Sequence, residues 1–213
     1  VVEGWGLLLA PGAGAGRDQP SLVELDRAAR AEGFAVRRMD FPYRLAGRRA
    51  PDKAPVLIAA VKEAARTFAC AEGLDPGRIF AGGRSMGGRM CSMAVAEGMP
   101  AAGLVLVSYP LHPPGRPEQL RTGHFGLIGV PCLFVSGTRD PFGTPAELEG
   151  AVAGIPGPVT LHFVEGADHS MLRREPRGTG EPGRRGHGRQ DSTDEVALTV
   201  ARWLREQVRR RRR

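Results

Sequence analysis

A chain of 213 residues, 41% hydrophobic and 25% charged, is sized and balanced for one well-buried globular domain and is too short for two ordinary ones. No apolar run approaches the roughly eighteen residues of a membrane span. The net charge of +7 is concentrated: residues 171–213 hold 13 arginines against 6 acidic residues, while residues 1–170 carry 17 basic and 17 acidic residues. A basic nucleic-acid groove built into the fold is therefore not expected, and the arginine-rich end reads as a solvated tail with at most a weak, salt-sensitive attraction to anions.

No secretory signal pattern is read at the start, and Val1 in place of Met suggests a trimmed end, so the expected location is the cytoplasm. Cys70 and Cys91 fall in helical patterns and Cys132 in a strand pattern. The three read as reduced, buried thiols, with no metal site and no cofactor.

Gly6 to Ala10 is continuous in its apolar character and reads as a buried strand. A backbone-rich loop follows, with glycines at 12, 14 and 16. A helix is predicted from about Ser21 to Ala31, with Leu22, Leu25 and Ala29 on one face and Ser21 and Glu24 as a capping signal. Gly33 closes it, and a second strand starts at Phe34 and ends near Asp40. This βαβ unit raises a dinucleotide site, for which Asp40 would suit a ribose. The fingerprint, however, needs its third glycine where Arg17 stands, and a nucleotide leaves Ser85 without a purpose.

Residues 41–55 read as a loop, and a helix follows from about Pro55 to Cys70. After the tight turn Asp75-Pro76-Gly77, a short apolar strand ends in Gly82-Gly83-Arg84-Ser85-Met86-Gly87, and a helix begins at once, running to Gly98. Gly83-x-Ser85-x-Gly87 is the nucleophile-elbow pattern: a sharp turn lifts the serine hydroxyl, and side chains at the flanking glycines would collide with their neighbours. Met90 and Met93 read as core filler. Further apolar strands are predicted at Gly103–Ser108, Val130–Val135 and Val159–Val164. Between the first two, the proline-rich residues 109–129 form only a small lid. A helix at about Pro145–Val152 precedes the last strand. Residues 173–190, rich in Gly, Arg and Glu, read as a mobile insertion within a single domain spanning 1–208. Asp191–Val208 is a closing amphipathic helix, with 209–213 fraying off as a basic tail.

Apolar strands separated by helices predict an α/β fold: a mainly parallel sheet of about six strands flanked by helices, with a minimal lid. Function in such sheets gathers at the carboxyl ends of the strands. Ser85, Asp140 and His169 each directly follow a predicted strand and so share that edge. Serine needs a base, itself oriented by an acid, which casts His169 as base and Asp140 as acid. Asp168 is a rival acid, and Asp140 has the alternative of merely capping the helix after it. A developing oxyanion needs two N–H donors, expected from Met86 and from the glycine-rich loop at Ala13, with Gly12 as fallback. Tyr43, Tyr109, His112 and Phe142 are candidates for the substrate pocket, although ordinary packing would also account for them.

Over nearly its whole length the sequence resembles the α/β-hydrolases. Within them it looks most like the small KANL3/Tex30-like, or dienelactone-hydrolase-like, hydrolases. The motifs carrying the likeness are Leu9-Ala10-Pro11-Gly12-Ala13-Gly14, Gly83-Arg84-Ser85-Met86-Gly87, Tyr109-Pro110-Leu111-His112-Pro113-Pro114-Gly115, Gly137-Thr138-Arg139-Asp140-Pro141-Phe142-Gly143 and Gly166-Ala167-Asp168-His169. The resemblance implies serine hydrolase chemistry on an ester-like bond, without cofactor; the expected substrate is a small-molecule carboxylic ester or thioester, of modest size because the lid is short. The sequence departs from that pattern at Pro11, where relatives often carry His, and at Ser85, where dienelactone hydrolases proper use Cys. A non-enzymatic interaction scaffold and a small peptidase are the alternatives, since a fold does not determine its function.

Overall fold

A computed structural model describes residues 3–174 and 189–212. Six strands, β1 (Gly6–Ala10), β2 (Ala35–Arg38), β3 (Ile79–Arg84), β4 (Gly103–Val107), β5 (Cys132–Gly137) and β6 (Val159–Val164), form one sheet in the order β2-β1-β3-β4-β5-β6. Every pairing in it is parallel. Parallel strands need crossovers, and helices supply all but the one from β4 to β5, which runs through the lid: α1 (Pro20–Ala31), α3 (Ala54–Glu72), α4 (Met86–Ala96) and α5 (Pro145–Val152). A short helix α2 (Pro42–Leu45) lies in the stretch predicted as loop. Pro42 sits at its first position, where a missing N–H costs nothing. In the small lid, residues 109–129, the regular structure is a single turn at Phe125–Leu127.

The inner strands alternate their side chains between two apolar layers, which is why β1 and β4 are apolar throughout, whereas the edge strands β2 and β6 carry polar residues. Leu7 and Leu9 of β1 pack with Leu22, Leu25, Phe80, Val200 and Leu204 beneath α1 and the closing helix α6 (Thr193–Arg211). Leu8 and Ala10 pack on the other face with Leu57, Val61, Met90, Leu104 and Leu106 beneath α3 and α4. Successive strands run to one side of β1 and then to the other, so the loops after β1 and β3 meet at the switch in strand order.

Two expectations, on Cys70 and on the tail, are corrected, and a third falls mostly outside the described residues. Cys91 and Cys132 are buried, but Cys70 is exposed on α3. The predicted insertion at 173–190 is framed by an antiparallel pair, β7 (Leu172–Arg174) with β8 (Arg189–Asp191); residues 175–188 between them lie outside the described residues. The predicted tail is helical through Arg211, because Arg211 has a docking place: its guanidinium donates to the Ala102 carbonyl at 2.8 Å and lies 5.9 Å from the Trp5 ring centre. Among the described residues no helix is long and apolar enough to cross a membrane.

Candidate active site

β3 ends at Arg84, α4 begins at Met86, and the residue between them bears the turn. Ser85 sits at φ 51°, ψ −118°, a conformation that L side chains rarely adopt. Its N–H donates to the Val107 carbonyl at 2.8 Å, which ties the elbow to β4. The flanking glycines are required by the neighbouring strand. A Cβ at Gly83 would stand 2.0 Å from the Ala10 carbonyl oxygen, and one at Gly87 would stand 2.2 Å from the same oxygen. The backbone of β1 thus fills the space that side chains would take, and the loop after β1 is drawn against the start of α4.

His169 follows β6, and its Nε2 lies 2.9 Å from Ser85 Oγ. Its Nδ1 lies 2.8 Å and 3.0 Å from the two carboxylate oxygens of Asp140, which follows β5. A carboxylate only accepts, so Nδ1 carries the proton and Nε2 is free to accept from the serine hydroxyl. The Asp140 side chain is fully buried. Its loop and the His169 loop are drawn together at Gly137, where a Cβ would stand 2.2 Å from the Ala167 carbonyl oxygen. Asp140 does not cap α5: Thr144 does so, in a reciprocal capping box with Glu147. The rival Asp168 is committed elsewhere, its Oδ1 accepting from the N–H groups of Ser170 at 2.8 Å and Leu172 at 3.2 Å.

In the loop after β1, the Gly12 N–H donates to Gln19 Oε1 at 3.0 Å and the Gly14 N–H donates to the Tyr43 hydroxyl at 3.2 Å. Gly12, the fallback oxyanion donor, is therefore occupied, and the Ala13 N–H lies between two amides that are held. Met86 opens α4, so its N–H belongs to the first turn, whose amides lack partners within the helix. Asp40, which a nucleotide would have needed, accepts from the Arg17 N–H at 2.7 Å and pins the same loop.

Of the four pocket candidates, the structure brings one to the site. The ring of Phe142 lies over the His169 imidazole with centres 4.1 Å apart, and its N–H donates to Asp140 Oδ1 at 2.9 Å. The other three are buried and do not offer a wall to a substrate. Tyr43 braces the loop at Gly14, and Tyr109 packs with Phe125 and Phe134 while donating to the Arg121 carbonyl at 2.8 Å. His112 rests with Nδ1 2.8 Å from the Pro113 carbonyl oxygen and Nε2 3.4 Å from Glu147. Aromatic type alone does not tell a wall from a brace.

Two contributors are absent from the sequence reading. Arg84 sends Nη2 to the His169 carbonyl at 2.7 Å, and Gln19 holds Gly12. Burial lowers the Arg84 pKa from its ordinary value, opposed by the nearby charges of Asp140 and Asp168. A charged residue ending an otherwise apolar strand was the one signal for Arg84; Gln19 had none. An apolar recess of about 290 Å³, lined by Lys62, Ile79, Met99 and Pro100 among others, opens at the amino ends of the strands, away from Ser85. Among the described residues there is no group of three or more His, Cys, Asp and Glu side chains able to hold a metal ion.

The family described as "Alpha/beta hydrolase domain" matches residues 4–204. Solved structures share the fold at low identity. An alpha-beta serine hydrolase homologue from Coxiella burnetii is 18% identical at a TM-score of 0.69, covering 93% of this chain and 85% of its own. Dienelactone hydrolase from Anabaena variabilis is 18% identical at 0.71, with coverages of 96% and 87%. Est1E from Butyrivibrio proteoclasticus is 13% identical at 0.72, with coverages of 97% and 90%.

Proposed function

The chain belongs to the alpha/beta hydrolase domain family, and from that premise we propose that it is a serine hydrolase acting on a carboxylic ester or thioester, in the manner of the small KANL3/Tex30-like and dienelactone-hydrolase-like proteins. The observation that carries this reading is the unbroken line from Ser85 Oγ through the His169 imidazole to the buried Asp140 carboxylate, with 2.9 Å and 2.8 Å at its two links.

Ser85 Oγ bonds to the acyl carbon as its proton passes to His169 Nε2. The carbonyl π electrons move onto oxygen, and the Ala13 and Met86 amides hold that oxyanion; a donor of this kind typically contributes about 2.7–4 kcal/mol to lowering the barrier. Collapse breaks the bond to the leaving oxygen or sulfur, which takes the proton from His169. Water then adds to the acyl-enzyme and gives its proton to the same nitrogen. The acid departs, and Ser85 recovers its hydrogen. Asp140 holds the imidazole in the needed tautomer and stabilises it while it is positive. Phe142 shields one face of the ring from water. The short lid leaves the entrance open to modest-sized substrates.

The test is turnover of a short p-nitrophenyl ester by the wild type and by Ser85→Ala. Activity should fall about 10⁴- to 10⁶-fold with unchanged thermal unfolding, and a fluorophosphonate probe should label Ser85 alone. Undiminished turnover in Ser85→Ala would rule the mechanism out. A folded wild type that neither turns over esters nor takes the probe would leave the scaffold reading.

A further inference from the structure

Resting on that reading, we infer that Gln19 and Tyr43 are positioning residues for the oxyanion hole: they clamp the loop after β1 so that the Ala13 N–H is presented to the reacting carbonyl oxygen.

The loop approaches the elbow closely. Ala10 is paired with Gly83 across β1 and β3. A Cβ at Gly87 would stand 2.6 Å from the Pro11 carbonyl oxygen, and one at Gly12 would stand 3.7 Å from the carbonyl oxygen of Arg84, the residue before the serine. The same loop has little of its own to hold it. Gly14, at φ 74° with nothing within 4 Å of its would-be Cβ, leaves the backbone free. Pro11 brings neither an N–H nor a hydrogen-bonding side chain. An oxyanion hole works by being in place before the charge develops, so the fixing must come from outside the loop.

Of the four N–H groups from Gly12 to Ala15, three are taken. Gly12 donates to Gln19 Oε1 at 3.0 Å, Gly14 to the Tyr43 hydroxyl at 3.2 Å, and Ala15 to the Gly12 carbonyl at 3.2 Å. The Ala13 N–H has no partner among the described residues, and Ala13 is exposed. Its direction follows from the peptide that carries it. That peptide has the Gly12 carbonyl at its other end, and a planar trans peptide points its C=O and N–H in opposite directions. The carbonyl is turned inward to Ala15, so the N–H is turned out, while Gln19 and Tyr43 hold the peptides before and after it. Gln19 stands at the N-cap of α1 but makes no side-chain bond to that helix, its amide being given to Gly12 instead. Tyr43 is fully buried in α2, stacked on Phe41, and its hydroxyl meets Gly14 from 29 positions away in sequence.

The test is steady-state hydrolysis of p-nitrophenyl hexanoate by Tyr43→Phe and Gln19→Leu, each checked for native thermal unfolding. Each should lower kcat by about 10- to 100-fold, somewhat less than deletion of a donor, with KM nearly unchanged. Gln19→Glu, which keeps an acceptor oxygen, should recover most of the loss. Two inhibitors separate the hole from packing. The carbonyl carbon of hexyl trifluoromethyl ketone bonds to Ser85 Oγ as the serine proton passes to His169 and the π electrons move onto oxygen, so its inhibition should weaken in step with kcat. Hexyl methyl ketone only fills the site and should bind as it does to wild type. Unchanged kcat and unchanged trifluoromethyl ketone inhibition in both variants overturn the clamp and leave the hydrolase reading intact. Equal weakening of both ketones without rescue by glutamate overturns it too. Should the wild type hydrolyse no ester, backbone amide relaxation by NMR decides: an Ala13 amide ordered in wild type and loosened in both variants upholds the clamp, and unchanged order overturns it.

Discussion

The Arg84 guanidinium donates to the His169 carbonyl at 2.7 Å, joining the residue before the serine to the residue proposed as its base. The two are separated by 85 positions in sequence, so this contact sets the distance between their loops. Arg84 is a positioning residue, acting through the backbone of His169. Arg84→Gln should lower kcat by about 10- to 100-fold, the scale of a misplaced catalytic group, while KM changes little. Arg84→Lys, which keeps a donor and a charge, should recover part of the loss. Equal losses in kcat and in thermal stability, with no rescue by lysine, would reduce the contact to packing.

Glycine replacements at two sites should have opposite signs. Gly83 has φ 146°, and a Cβ there meets the Ala10 carbonyl oxygen at 2.0 Å. Gly83→Ala should therefore cost about 3 kcal/mol or more. Gly150 lies within α5 with nothing inside 4 Å of its would-be Cβ, so Gly150→Ala should add about 0.5–1 kcal/mol. Urea midpoints at unchanged slope measure both.

The thiols should divide by exposure. Burial pushes Cys91 and Cys132 up to about 12, whereas Cys70 is exposed on α3. Ellman's reagent should titrate one thiol in the native protein and three after denaturation. Fast native reaction of a second thiol would show that the core opens near β3 or β5.

Acid should destabilise the lid through His124. Burial first, and the Arg89 charge second, lower its pKa to about 4 from the ordinary 6.5. The unfolded chain therefore binds this proton before the folded one does, and stability falls as pH drops from about 6.5 toward about 4, then levels off. His124→Gln keeps a hydrogen-bonding side chain for Ser92 and should flatten that part of the profile. Parallel wild-type and variant curves across this window would refute the assignment.

Local pattern was enough for much of this protein. Runs such as Leu104-Val105-Leu106-Val107 announce strands buried on both faces, and the spacing of Leu57, Val61 and Phe68 announces α3, because both signals lie within a few residues. The glycines around Ser85 mark a turn that other residues cannot make, and the positions of Ser85, Asp140 and His169 after β3, β5 and β6 put them on one edge. Which acid faces the imidazole was decided only by the tertiary structure, where the loop at Gly137 brings Asp140 to His169 and the turn at 168–172 consumes Asp168. The same is true of Tyr43 serving as a brace, Cys70 standing exposed, and Arg209–Arg211 staying helical once Arg211 meets Trp5. Each of these depends on surfaces far apart in sequence coming into register, and no local pattern records which surface a side chain will meet. The oxygen of Ser85 and the residues to serve it could thus be named from local pattern, while the choice between Asp140 and Asp168 and the link from Arg84 to His169 could be recognised only once the chain had folded.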